Sequence, residues 1–334
     1  MSDASVVATL VLIIAIAVLV LLILAQQIVH RIKRRARLVL RPACELAVAE
    51  YLADENASVP PPPRNHREHV VLRQVALAAL IELRGRERAR LTELLERTGV
   101  VARTVEELAA GRRTRRRRAA DMLAEMRSDQ SRSALVAGLD DTDAATRLGC
   151  ARALVELGDD DSADHVVEVA AAEADTSPGA VGDVFLGIAA WKPMLLGEAM
   201  SSTSSRGLRR ILASIIGELR ISDHTALLRV ALTDTDDELA ARSARGLGLI
   251  GDDGSVEALT QALGDARRER RVRTAAATSL GWIGDRRALA SLRTAASSPD
   301  WAVAAASADA LVLLGEQRGA TRPDTEGGLT VAAA

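Results

Sequence analysis

Residues 246 to 251 read GLGLIG, which sets Gly246, Gly248 and Gly251 in the spacing G-x-G-x-x-G. In a dinucleotide-binding turn that spacing lets backbone amides approach a pyrophosphate, but the turn must leave a β-strand and open a helix. Here the residues before it, DDELAARSAR from Asp236 to Arg245, carry a helical pattern. The equivalent stretch SLGWIG, Ser279 to Gly284, recurs 33 residues later with Ser279 in place of the first glycine. These glycines are therefore expected to serve close helix packing and helix termination.

Other chemistry-bearing residues are dispersed. Of His30, His66, His69, His165 and His224 only His66 and His69 lie close together, and Cys44 and Cys150 form no C-x-x-C pattern. No acid, base and nucleophile cluster, so the reading is of a chain that is not an enzyme and holds no cofactor or metal. One basic cluster stands out, GRRTRRRRAADMLAEM, with six arginines among residues 112 to 118. It could meet phosphates. Aromatics for base stacking are lacking, and the cluster aligns with another repeat's helix start, RRERRVRTAAATSLGWI. It is read first as a solvated helix start, with Arg113, Arg115 and Arg116 as candidates for contact with anionic lipid or an acidic partner, ahead of nucleic acid.

These residues must be positioned by helices. Of the 334 residues 48% are hydrophobic but only 1% aromatic, so Ala, Leu and Val carry the apolar load. Small, helix-favouring side chains suit helices packed closely and repeatedly. Usage rich in Ala and Arg points to a GC-rich bacterial genome. The net charge of -2 conceals a division: residues 29 to 118 hold 21 Arg and Lys against 11 Asp and Glu, and the remainder is acidic. The acidic half is suited to a basic partner and the basic half to a membrane surface.

Val6 to Ala25 is a twenty-residue apolar run broken only by Thr9. As a helix it would reach about 30 Å, a bilayer core. Arg31, Lys33, Arg34 and Arg35 follow it and no Lys or Arg precedes it, which by the positive-inside rule places the N-terminus outside and the rest in the cytoplasm. Those four are also candidate contacts for anionic headgroups. The expected organisation is a short extracytoplasmic tail over 1–5, a transmembrane helix over 6–28, and a basic juxtamembrane segment with a Pro-rich linker over 29–63. A helical body follows over 64–317, then a disordered tail over 318–334. Within the linker, residues 43–59 could form a short helix ended by Pro60 to Pro63.

The body repeats. ALVELGD, LGIAAW, IIGELR, LGLIGD, LGWIGD and LVLLGE align on Val155, Gly187, Gly217, Gly248, Gly281 and Val312, at separations of 30 to 33 residues. Ala124 continues the series backwards, and LIELRG around Ile81 fits after a longer gap. Each unit reads as two helices. Twelve residues before the aligned position lie Asp143, Asp175, Ser205, Asp236, Glu269 and Asp300, mostly suited to cap a helix start. Arg147, Arg209 and Arg273 follow one turn on. In the quoted unit Ser255 is read as an N-cap and Gly251 as a helix end. A hairpin that cannot bury its apolar face alone must stack on its neighbours.

Acidic start, Arg one turn on, ALxxLGD and a second amphipathic helix resemble the HEAT repeat, in the short form of phycobilisome-lyase-like repeats, over about Arg64 to Gln317. The resemblance implies an all-α solenoid of about eight hairpins used as a protein-binding surface. It also implies an Asp and Arg ladder between neighbouring repeats, here Asp143, Arg147, Asp236 and Asp300, incomplete where Gly179 and Ala240 replace the Arg. The position after the aligned one is Glu125, Glu156 or Glu218 in some units but Ile188, Leu249, Trp282 and Leu313 in others. Leu249, Trp282 and Leu313 are the candidate protein-binding stripe. The expected function is a membrane-anchored scaffold or adaptor. The alternative is an accessory subunit, or a lyase-like chaperone, of a membrane-associated enzyme.

Overall fold

The computed structural model describes residues 39–54 and 56–315. Among them every regular element is a helix. The expected transmembrane helix over 6–28, Arg31, Lys33, Arg34 and Arg35, and the tail over 318–334 lie outside the described residues. No described helix is long and apolar enough to cross a membrane. The chain divides into two compact units, one ending at Leu157 and the other starting at Gly158.

The first unit opens with α1 over residues 39–53. It continues with α2 (His66–Glu82), α3 (Gly85–Arg97), α4 (Val100–Ala110), α5 (Arg113–Met126), α6 (Asp129–Gly138) and α7 (Ala144–Leu157). The first helices of successive repeats are α2, α5 and α7, with α5 packed on α2 and on α7, while α4 packs on α6. The longer gap before Ala124 is filled by α3, an extra helix of 13 residues. The segment expected to be linker is in part folded onto this unit. Val48 and Tyr51 of α1 are buried. Arg90 of α3 donates to the Tyr51 and Asp54 carbonyls at 2.6 Å each, and its guanidinium lies 4.9 Å from the Tyr51 ring centre. An arginine thus adds a donor to carbonyls at the end of α1.

The second unit holds α8 (Ala163–Ala172), α9 (Pro178–Trp191), α10 (Met194–Ser202), α11 (Arg206–Glu218), α12 (Thr225–Leu232), α13 (Asp237–Ile250), α14 (Val256–Gly264), α15 (Arg270–Ile283), α16 (Leu289–Ala296) and α17 (Trp301–Leu313). The odd-numbered helices from α9 to α17 stack in one layer, and the even-numbered helices from α8 to α16 stack in a second. The core between the layers is mostly Leu, Ala and Val, with Phe185 fully enclosed. Each such Leu contributes on the order of 1.5–3 kcal/mol by leaving water. Among the described residues α17 has no second helix after it, so the array departs from eight plain hairpins at both ends.

Three helix starts of the second unit follow the expected chemistry. Asp236 accepts from the Glu238 and Leu239 amides, Ser205 from Leu208 and Asp300 from Ala302. Two readings are corrected. Ser177, not Asp175, stands at the start of α9. Ser255 stands at the N-cap position of α14 as expected, but its hydroxyl goes to Asp252 and makes no cap hydrogen bond. Gly251 and Gly284 close their helices at φ of 79° and 78°, in the left-handed region where a Cβ is disfavoured.

Candidate functional site

The fingerprint glycines lie on a packing seam. Gly246 and Gly248 are buried inside α13. A Cβ on Gly248 would fall 2.5 Å from the Ser279 Cβ, and one on Gly281 would fall 2.8 Å from the Ala310 Cα. Bare backbone on one helix therefore meets a small residue on the next, down the column that defines the repeat. Ser279 uses its hydroxyl there, donating to the Ala244 carbonyl at 2.8 Å. With no strand before it and a helix ending at Gly251, GLGLIG has no pyrophosphate-binding geometry.

A ladder of ion pairs crosses the same helices near their N-terminal ends. Asp143 accepts from both Nε and an Nη of Arg117, at 2.9 and 3.1 Å. Asp236 accepts from Arg210 in the same bidentate way, at 2.8 and 2.9 Å. One residue earlier on each helix, Arg116 reaches Asp141 at 2.8 Å and Arg209 reaches Asp234 at 2.7 Å. Arg270 meets Asp300 at 2.9 Å. The arginines come from the preceding helix, whereas the sequence pattern pointed one turn on. Arg147 donates to the Asp141 carbonyl, at 2.6 Å. The missed signal is a double motif: Arg-Arg at 116–117 and 209–210, then Asp-Thr-Asp at 141–143 and 234–236. Hydrogen bonding from Arg117 holds the Asp143 carboxyl down at about 2, and Arg210 lowers that of Asp236. Planar guanidinium against planar carboxylate fixes register as well as adding attraction.

This arrangement divides the basic cluster. The Arg116 side chain is only 16% exposed and turned into the ladder. Arg112, Arg113, Arg115 and Arg118 stay exposed.

The candidate stripe is present in part. Trp282 is 41% exposed and Leu313 63%, while Leu249 is half-buried. The Arg245 guanidinium of α13 lies 5.5 Å from the Trp282 ring centre. Leu313 of α17 closes against Gly281, its Cδ1 lying 3.3 Å from where a Cβ there would stand. Ile188, at the equivalent position of α9, is fully buried and belongs to the core. Trp301, at the start of α17, is 75% exposed. Elsewhere in the second unit a groove of about 350 Å³ runs between α8, α10 and α11, floored by Leu195, Ala199 and Leu208 and edged by Asp164, Glu168 and Glu198.

Lone titratable groups form no centre. Burial pushes the Cys150 thiol up to about 12 and raises that of Cys44, the nearby Glu68 adding to the latter. Burial and then Arg103 lower the His69 imidazole. His224 is buried, with Nε2 2.9 Å from the Pro193 carbonyl. Among the described residues no group of three His, Cys, Asp or Glu is placed to hold a metal.

No curated protein matches the sequence significantly. Solved structures do resemble it. Human deoxyhypusine hydroxylase is 17% identical over 84% of this chain and 98% of that one, with a TM-score of 0.34. Kap95p, from its complex with RanGDP, is 15% identical over 82% of this chain and 46% of that one, with a TM-score of 0.48. The phycocyanin lyase complex of CpcE and CpcF from Nostoc sp. PCC7120 is 18% identical over 78% of this chain and 98% of that one, with a TM-score of 0.29. Family membership rests instead on the sequence match to HEAT repeats, over residues 101–177, 194–271 and 268–321. With more than half of its length matched and its helices stacked in two layers, the chain belongs to the HEAT-repeat family.

Proposed function

We propose that the protein is a non-enzymatic scaffold, anchored in a bacterial cell membrane by residues 6–28, that holds a partner protein against its repeats in the cytoplasm. The observation that carries the partner reading is the Trp282 and Leu313 pair. Where other repeats place Glu156 or Glu218, the last repeats present a half-exposed indole under Arg245 and a leucine that is 63% exposed. Contiguous exposed apolar side chains mark contact sites, and Trp and Arg are each enriched where binding energy concentrates. The acid-edged groove between α8, α10 and α11 supports a partner that also carries basic residues. Anchoring is supported by the unbroken apolar run from Val6 to Ala25 and by the basic residues that follow it.

The test is crosslinking in intact membranes from a photoreactive amino acid at position 282. A discrete protein adduct that disappears with Leu313→Asp supports the reading. Adducts only to lipid, or none, would overturn it.

A further inference from the structure

The first unit contains a recess of about 360 Å³ lined by Ile81 from the last turn of α2, Arg84, Arg88 of α3, and Glu125 and Arg127 from the end of α5. Three guanidiniums face one carboxylate. All three donate to backbone carbonyls. Arg88 donates to the Leu80 and Glu125 carbonyls and touches the Glu125 carboxylate at 3.4 Å, which leaves its side chain only 18% exposed. Arg84 donates through one Nη to the Ile81 and Leu83 carbonyls, at 3.0 Å each. Its other donors are not spent on those bonds. Ile81, 63% exposed, supplies an apolar wall.

Arg127 is held there in an unusual way. It adopts φ of 51°, and with Arg220 it is one of two non-glycine residues in the left-handed region among the described residues. At the corresponding helix end the repeats place Gly158, Gly251, Gly284 and Gly315, all at positive φ. A Cβ is disfavoured in that conformation, and a side chain stationed in it calls for another role. Here Arg127 lines the recess, and its guanidinium donates through one Nη to the Glu156 carbonyl at 3.3 Å.

We propose that this recess is a second docking site, which takes an acidic side chain flanked by an apolar one on the partner protein. The anion lies between Arg84 and Arg127, and the apolar neighbour packs on Ile81. The proposal rests on the scaffold reading and names the partner chemistry that one part of its surface accepts. A protruding peptide side chain fits a recess with a guanidinium as withdrawn as that of Arg88. A flat bilayer surface would instead meet the outstanding Arg113, Arg115 and Arg118.

The experiment titrates the full chain, in neutral phosphatidylcholine nanodiscs, with a dye-labelled peptide of core Glu-Leu-Glu and with its Gln-Leu-Gln counterpart. Saturable binding of the acidic peptide is expected, weakened at high salt. Arg127→Gly and Arg84→Gln should each weaken it about tenfold, the loss of one charge-assisted contact. Arg127→Gly installs the residue that other repeats use at this turn, so its melting temperature should stay within a few degrees of the parent. Ile81→Ser should weaken binding severalfold. Equal binding of the glutamine peptide, or undiminished binding to both arginine variants, would overturn the proposal. So would arginine-dependent binding to phosphatidylserine nanodiscs with none to the peptide. Crosslinking from position 282 is independent of Arg127. A crosslinked partner without peptide binding would remove this recess and leave the scaffold reading, whereas absence of both would remove the scaffold reading as well.

Discussion

Gly217 of α11 and Gly246 of α13 meet backbone to backbone: a Cβ built on Gly217 would lie 2.4 Å from the Gly246 Cα. Neighbouring helices in the second unit are thus spaced by the absence of side chains. Gly217→Ala should force α11 and α13 apart and cost about 2–3 kcal/mol, as overpacking of a close core does. Gly182→Ala, inside α9 with nothing within 4 Å of the new Cβ, should stabilise by up to about 1 kcal/mol through helix propensity. Thermal melts of the two variants check the contrast, and equal effects would refute the seam.

Acid should loosen the repeats through the ion-pair ladder. The Asp143 carboxyl is held at about 2 by Arg117, against an ordinary 3.8. Arg210 lowers Asp236, the Asp236 amide lowers Asp234, and Arg242 followed by Arg271 lowers Glu238. As pH falls, the unfolded chain binds these protons first, so their contribution is complete above about pH 5 and is lost progressively toward pH 2. Arg117→Ala with Arg210→Ala should flatten that part of the stability curve, measured by denaturant unfolding from pH 7 to pH 2.

Asp236 joins two roles in one carboxylate, capping α13 and accepting from Arg210, with its side chain only 4% exposed. Asp236→Ala should cost about 1–2 kcal/mol, from the lost cap and from a guanidinium left without its acceptor. Arg210→Ala, which leaves the cap in place, should cost less. A double-mutant cycle measured by urea unfolding separates the cap from the pair.

Arg90 holds α1 on the first unit through the Tyr51 and Asp54 carbonyls. Arg90→Ala should release α1 while leaving the repeats folded, because its bonds run to the end of α1. Limited proteolysis should then cut within residues 54–63 several times faster. An unchanged rate would mean that burial of Val48 and Tyr51 suffices to hold the helix.

Membrane topology is open to direct labelling. Burial raises the thiol of Cys150 to about 12 and also raises that of Cys44, so both react slowly. In a Cys44→Ser background, a cysteine at Ser2 should react with an impermeant reagent on intact cells, and one at exposed Arg113 should react only after lysis. The reverse pattern would place the repeats outside.

The sequence alone determined the repeat. Small residues 30 to 33 apart, acids twelve residues earlier and glycine at helix ends are local requirements of helix packing, capping and termination, so they show in one dimension. It also ruled out a dinucleotide turn, because the residues around GLGLIG are helical. Which arginine reaches which aspartate was decided only by tertiary structure. Arg117 and Asp143 are 26 residues apart and meet because adjacent helices are brought side by side, whereas the pattern showed only the near neighbour Arg147. The same holds for α1, which Arg90, 39 residues from Tyr51, ties to the first unit. It holds for Arg127, since a left-handed backbone and a shared recess are properties of the folded chain that no residue type announces.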